Sequence, residues 1–157
     1  MNMQPSVIQT LEDEKKKFTQ EGDAYLRKRY PTLFPAEKNL SNFGHNDAID
    51  AFRHAYVSGR FAQEYGPNSS FLMGTYHELD DWNKGPERHM DFWNNAKGIE
   101  YAETAKTPEA LADRIDQGIK RGELITAPGK TPTVQTSYPD ESNAEPPQQQ
   151  SKARLRR

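Results

Sequence analysis

Apolar residues recur along this chain at three- and four-residue steps, and no alternation of apolar and polar positions runs beyond a few residues, so the pattern predicts helices and no sheet. The first periodic stretch, residues 6–29, opens on Ser6 as an N-cap. It carries Val7, Leu11, Phe18 and Leu26 at helical spacing among many charges, and Pro31 ends it. Residues 31–45 hold two prolines and a glycine and read as an irregular connection, with Leu33, Phe34, Leu40 and Phe43 expected against the core. A second helix is expected from about Asn46 to Tyr65, capped by Asn46 or Asp47 and ended by Gly66-Pro67. Asn68, Ser69 or Ser70 would cap a third through "FLMGTYHELDDW", and Pro86 would start a fourth through "ERHMDFWNNAKGIEYAETA". Thr107-Pro108-Glu109 is the strongest start signal: a hydroxyl cap, proline in the first turn and a carboxylate at the positive end of the dipole. Leu111, Ile115 and Ile119 then form one apolar stripe, and Gly122 closes the fifth helix.

From Thr126 onward the periodicity vanishes. The segment 126–157 is rich in Pro, Gln, Ser and Thr, ends in the basic run "KARLRR", and cannot bury enough surface to offset its ordering entropy, so a disordered tail is expected there. Residues 1–125 are left to form a small, all-α, single-domain bundle of about five helices. The chain has no cysteine, which excludes disulfides, thiolate nucleophiles and thiolate metal sites. A net charge of −2 gives no global attraction to nucleic acid or anionic membrane. The N-terminus lacks the basic start and apolar run of a secretory signal, and no stretch of about 18 apolar residues is present to cross a bilayer. The expectation is a protein made in the cytoplasm without a signal peptide.

The chemistry lies in three of the predicted helices. In "DAFRHAYVSGRFA", Asp50, Arg53 and His54 are related by i, i+3 and i, i+4, so one carboxylate reaches both partners from one face. Small residues around them (Ala48, Ala51, Ala55, Ser58, Gly59, Ala62) would let another helix approach closely and enclose the polar cluster. Taken alone, this helix favours an internal Asp–Arg pair that fixes register, with His54 a core histidine. In "GTYHELDDW", His77 beside Glu78 can supply a base with its orienting carboxylate or two metal ligands, although such a pair taken alone is more often a solvated helix face. In "MDFWNNAKG", Asp91, Asn94, Asn95 and Gly98 share one face. Two adjacent asparagines are poor helix formers and need a reason, which is either hydrogen bonding to loop backbone or the lining of a substrate or metal site. His89 falls on a different face and is expected at the surface.

Together, "DAFRHAYVSG", "GTYHELDD" and "MDFWNNAKGIEYA" resemble a bacterial helical family found as C-terminal domains of polymorphic toxins and secreted effectors. Its pattern is Asn/Asp-x-x-Arg-His, then His-Glu, then Met-Asp-x-x-Asn-Asn-x-x-Gly. The match runs through Asp50, Arg53, His54, His77, Glu78, Met90, Asp91, Asn94, Asn95 and Gly98 and spans residues 45–103. The resemblance implies an antibacterial effector whose site is built from three helices, with catalytic His54, His77, Glu78 and Asp91, and with Arg53, Asp50, Asn94 and Asn95 binding substrate. The expected reaction is hydrolysis of an envelope substrate such as the phosphoester or pyrophosphate of a lipid-linked peptidoglycan precursor. Arg53 would grip phosphate oxygens, His54 or His77 would exchange the proton, and a divalent metal ion is an optional cofactor on His77, Glu78 and Asp91. Expected partners are a secretion-system component and a cognate immunity protein, with activity in the target-cell periplasm. Competing readings are a phospholipase or nuclease toxin, the latter disfavoured by the absence of a basic stripe in the core, and a non-enzymatic binding or adaptor protein with an internal polar network.

Overall fold

A computed structural model describes residues 5–34, 47–68 and 85–132. Four helices build this part: α1 (Pro5–Arg29), α2 (Ala48–Tyr65), α3 (Pro86–Ala102) and α4 (Pro108–Lys120). No strand occurs among the described residues, and the fold is all-α as the periodicity predicts. The helix expected over "FLMGTYHELDDW" lies outside the described residues, as does the tail beyond 132.

The termini follow the signals in the sequence. Asp47 caps α2 by accepting from the amides of Ile49 and Asp50 at 2.9 and 3.0 Å. Thr107 caps α4 by accepting from the amide of Ala110, with Pro108 in the first turn. After α4, Gly122 turns at φ +74°, and the amide of Glu123 donates back to the carbonyl of Gly118, a C-terminal cap of the kind glycine favours. Leu33 departs from expectation. A tight turn in which the amides of Leu33 and Phe34 both donate to the Tyr30 carbonyl carries Phe34 against the core and leaves Leu33 65% exposed. At the start of the segment expected to be a tail, Thr126, Ala127 and Pro128 are half-buried and the Lys130 amide closes a turn onto the Ala127 carbonyl.

The helix α2 is central and packs on α1, α3 and α4, most extensively on α3. Phe18 and Leu26 of α1, Phe52 and Tyr56 of α2, Met90 and Tyr101 of α3, and Leu111 and Ile115 of α4 form the core with Leu124 and Ile125. Tyr25, Phe52 and Tyr56 stack in a column, with ring centroids 5.7 Å apart at each step. On the other side of α2 the packing is backbone against backbone. A Cβ on Gly98 would lie 1.9 Å from the Ala55 carbonyl oxygen, and one on Gly59 would lie 2.8 Å from the Gly98 carbonyl oxygen. Only glycine permits this approach. It brings α2 and α3 together in parallel, with Asp50 and His54 opposite Asp91, Ser58 opposite Asn95, and Gly59 opposite Gly98.

Candidate functional site

The close crossing of α2 and α3 sets two i, i+4 polar pairs face to face, Asp50 and His54 from one helix and Asp91 and Asn95 from the other. His54 is the meeting point. Its Nε2 lies 3.3 Å from Asp91 Oδ1 and 3.6 Å from Asp50 Oδ1, and its Nδ1 lies 3.2 Å from Asn95 Oδ1. The Asn95 oxygen also accepts from the Ser58 hydroxyl at 2.9 Å. An amide oxygen carries only lone pairs, so the hydrogen of the His54–Asn95 contact belongs to Nδ1, and Nε2 faces the two carboxylates. Asp91, Asn95 and Ser58 are buried, whereas the His54 side chain remains 26% exposed, so the cluster opens to solvent at the imidazole.

One nitrogen of His54 and one oxygen each of Asp50 and Asp91 lie within 4.8 Å of one another, a grouping able to hold a metal ion. Of the metal candidates expected from sequence, His77, Glu78 and Asp91, only Asp91 is among the described residues, and there it is joined by Asp50 and His54. Spacing along α2 places Asp50 beside His54, but which face of α3 meets them depends on the glycine-mediated crossing.

Other expected site residues are placed elsewhere. Asn94 is fully buried and engaged with backbone: its Nδ2 donates to the Ile125 carbonyl and its Oδ1 accepts from the Ile125 amide, both at 2.9 Å. It therefore locks the segment after α4 onto α3 and is withdrawn from substrate, which selects the loop-backbone alternative for this residue. Arg53, expected to grip phosphate, is bridged to Asp23 of α1, with Nε on Oδ1 at 2.9 Å and Nη2 on Oδ2 at 3.2 Å. That fork-to-fork pair commits the guanidinium to holding α1 on α2. Asp23 stands among the charges of α1 and carries no local signal of this role. Ser58 was legible only as a small residue permitting close approach. His77 and Glu78 lie outside the described residues. His89 is exposed and removed from the cluster, as expected.

A second polar centre joins α3, α4 and the segment beyond them. Tyr101 Oη and Arg114 Nη2 both donate to Glu123 Oε2, at 2.5 and 2.7 Å, and the Arg114 guanidinium sits 3.9 Å from the Tyr101 ring centroid. Burial pushes the Glu123 carboxyl up, but the hydrogen bonds from Tyr101 and Arg114 and the charges of Arg114 and Lys97 outweigh it, and the net effect is a lowered pKa. A hollow between α1 and α4, lined by Glu21, Tyr25, Tyr56, Glu109 and Asp113 among others, contains none of the Asp50, His54, Asp91 and Asn95 cluster.

Comparison with known proteins gives one family match, to a domain of unknown function, DUF6973, over residues 24–123. That span includes the whole His54 cluster and the Glu123 centre and begins one residue after Asp23. No solved structure matches the chain.

Proposed function

The chain belongs to the DUF6973 family, whose function is unknown, and from the geometry of its site we propose that it is a hydrolase whose reacting centre is the cluster of Asp50, His54, Asp91 and Asn95. The observation that carries this reading is the placement of His54. One ring nitrogen is held by an amide oxygen, and the other faces two carboxylates from two different helices at the solvent-accessible end of an otherwise buried polar cluster. Titratable groups brought together in this way are a common signature of functional sites. An adaptor's internal network would have no need to expose its imidazole, and the 26% exposure of the His54 side chain favours the enzyme.

The substrate reading is an antibacterial effector acting in the envelope, on the phosphoester or pyrophosphate of a lipid-linked peptidoglycan precursor. It is supported by the resemblance of the three motifs to secreted effectors, and by the contribution of two of them to one cluster. A secretion apparatus and a neutralising immunity protein would be its partners. No described helix is long and apolar enough to cross a membrane. With Arg53 committed to Asp23, the charge that faces a phosphate has to come from another group.

The test is paired expression in a bacterial host, with the protein directed to the periplasm or kept in the cytoplasm, followed by mass analysis of lipid-linked precursors. Growth arrest confined to the periplasmic form, cleaved precursor in its extracts, and loss of both in folded His54→Ala is the expected result. Equal toxicity of wild type and His54→Ala, or intact precursor during arrest, overturns the reading.

A further inference from the structure

The geometry points to Asp50, His54 and Asp91 as a divalent metal site, with His54 binding through Nε2 and Asn95 as the positioning residue behind it. Three observations converge on this. First, the Asn95 oxygen fixes the hydrogen on Nδ1, and this is the usual way in which a ligating histidine is oriented with its other nitrogen free to bind. Second, the separations suit coordination better than hydrogen bonding. Charge-assisted N–H to carboxylate bonds run at about 2.7–2.9 Å, whereas metal–ligand bonds of about 2.0–2.2 Å in a tetrahedral arrangement put neighbouring donor atoms about 3.3–3.6 Å apart. The distances from Nε2 to Asp91 and Asp50 are 3.3 and 3.6 Å. Third, the donors come from two facing helices, Asp50 and His54 at i, i+4 on one and Asp91 on the other, and helix bundles commonly build metal sites from inward side chains on facing helices.

One imidazole and two carboxylates favour Mn2+, Fe2+ or Zn2+ over Mg2+ or Ca2+, which prefer all-oxygen sites. Three protein ligands leave positions open for water and for a substrate oxygen, the pattern of a catalytic rather than a structural site. The use made of the ion rests on the hydrolytic reading above; its binding does not. In that use the ion supplies the charge that Arg53 does not, polarising a phosphoryl oxygen and acidifying its bound water. The water oxygen bonds to phosphorus, the bond from phosphorus to the leaving oxygen breaks, and the leaving oxygen takes up a proton released by the water.

The site is tested by titrating chelator-stripped full-length protein with MnCl2, ZnCl2 or MgCl2 in a calorimeter. Expected are one Mn2+ or Zn2+ per chain, a raised Tm, much weaker Mg2+ binding, and an affinity lowered about tenfold or more in Asp50→Asn and Asp91→Asn. His89→Ala keeps the wild-type affinity. Asn95→Leu loses about 10- to 100-fold, and Asn95→Asp, which still accepts from Nδ1, restores most of it. Because a buried substitution can fail to fold, wild-type protein supplies the second measurement: Mn2+ should broaden NMR signals of residues around 50–54 and 91–95. Absence of stoichiometric binding, or broadening centred on another histidine, overturns the site. A protein that binds the ion yet leaves lipid-linked pyrophosphate intact overturns the hydrolytic reading alone. Cleavage that persists after chelation, in a protein that binds no ion, overturns the metal site alone.

Discussion

Asn94 and Asn95 are identical side chains set about 100° apart around the same helix, and that angle separates an anchor from a site residue. Asn94 spends its donor and its acceptor on the Ile125 backbone, while Asn95 turns its oxygen to His54 and Ser58. Asn94→Ala is expected to lower unfolding free energy by about 2–3 kcal/mol in urea, because buried backbone groups lose their partners, and to leave Mn2+ affinity unchanged in the folded fraction. Arg53 and Asp23 are the other decisive pair. Each single change, Arg53→Gln or Asp23→Asn, is expected to cost about 1–3 kcal/mol, less than a fully buried pair because both side chains keep some exposure. The double variant should cost less than the two added together, which denaturation of all four proteins in a double-mutant cycle would measure. Strictly additive costs would show that the pair does not hold α1 to α2.

At the scale of elements, the α2–α3 crossing governs the site. Its closeness comes from Gly59, Gly98 and Ala55, and the same closeness brings Asp91 within reach of His54. Gly98→Ala forces a methyl group into the Ala55 carbonyl, a clash with backbone that no side-chain rotation relieves. It is expected to destabilise at or beyond the top of the usual range of about 1–3 kcal/mol for overpacking, and to weaken metal binding by separating the two halves of the cluster. By contrast, Thr107→Ala removes one cap and should cost about 1 kcal/mol with the cluster intact. Thermal unfolding of both variants, alongside Mn2+ titration, distinguishes a loss of stability from a loss of geometry.

For the molecule as a whole, Glu123 ties the segment after α4 to Tyr101 of α3 and Arg114 of α4. Its folded-state pKa lies below its unfolded value, so its stabilisation is fully present above the ordinary carboxylate range and is lost as pH falls through the lowered value. Urea midpoints measured from about pH 7 down to pH 3 should therefore fall more steeply for wild type than for Glu123→Gln below roughly pH 4.3. Parallel curves would remove Glu123 from the acid response.

Much of the architecture could be read from the chain because it is decided locally. The apolar period, the hydroxyl or carboxylate before each of α2 and α4, and Gly66, Gly122, Pro86 and Pro108 mark helices without reference to the rest of the molecule. Spacing also placed Asp50 and His54 on one face and Asp91 and Asn95 on another. Spacing could not assign Arg53 to Asp23, separate the duties of Asn94 and Asn95, or join Asp50 and His54 to Asp91, because these contacts link residues 30 to 41 positions apart. A helix presents several faces with similar local cost, and only packing chooses which face is buried against which neighbour. Here that choice was made by glycines that let two backbones touch, and the cluster around His54 is its consequence.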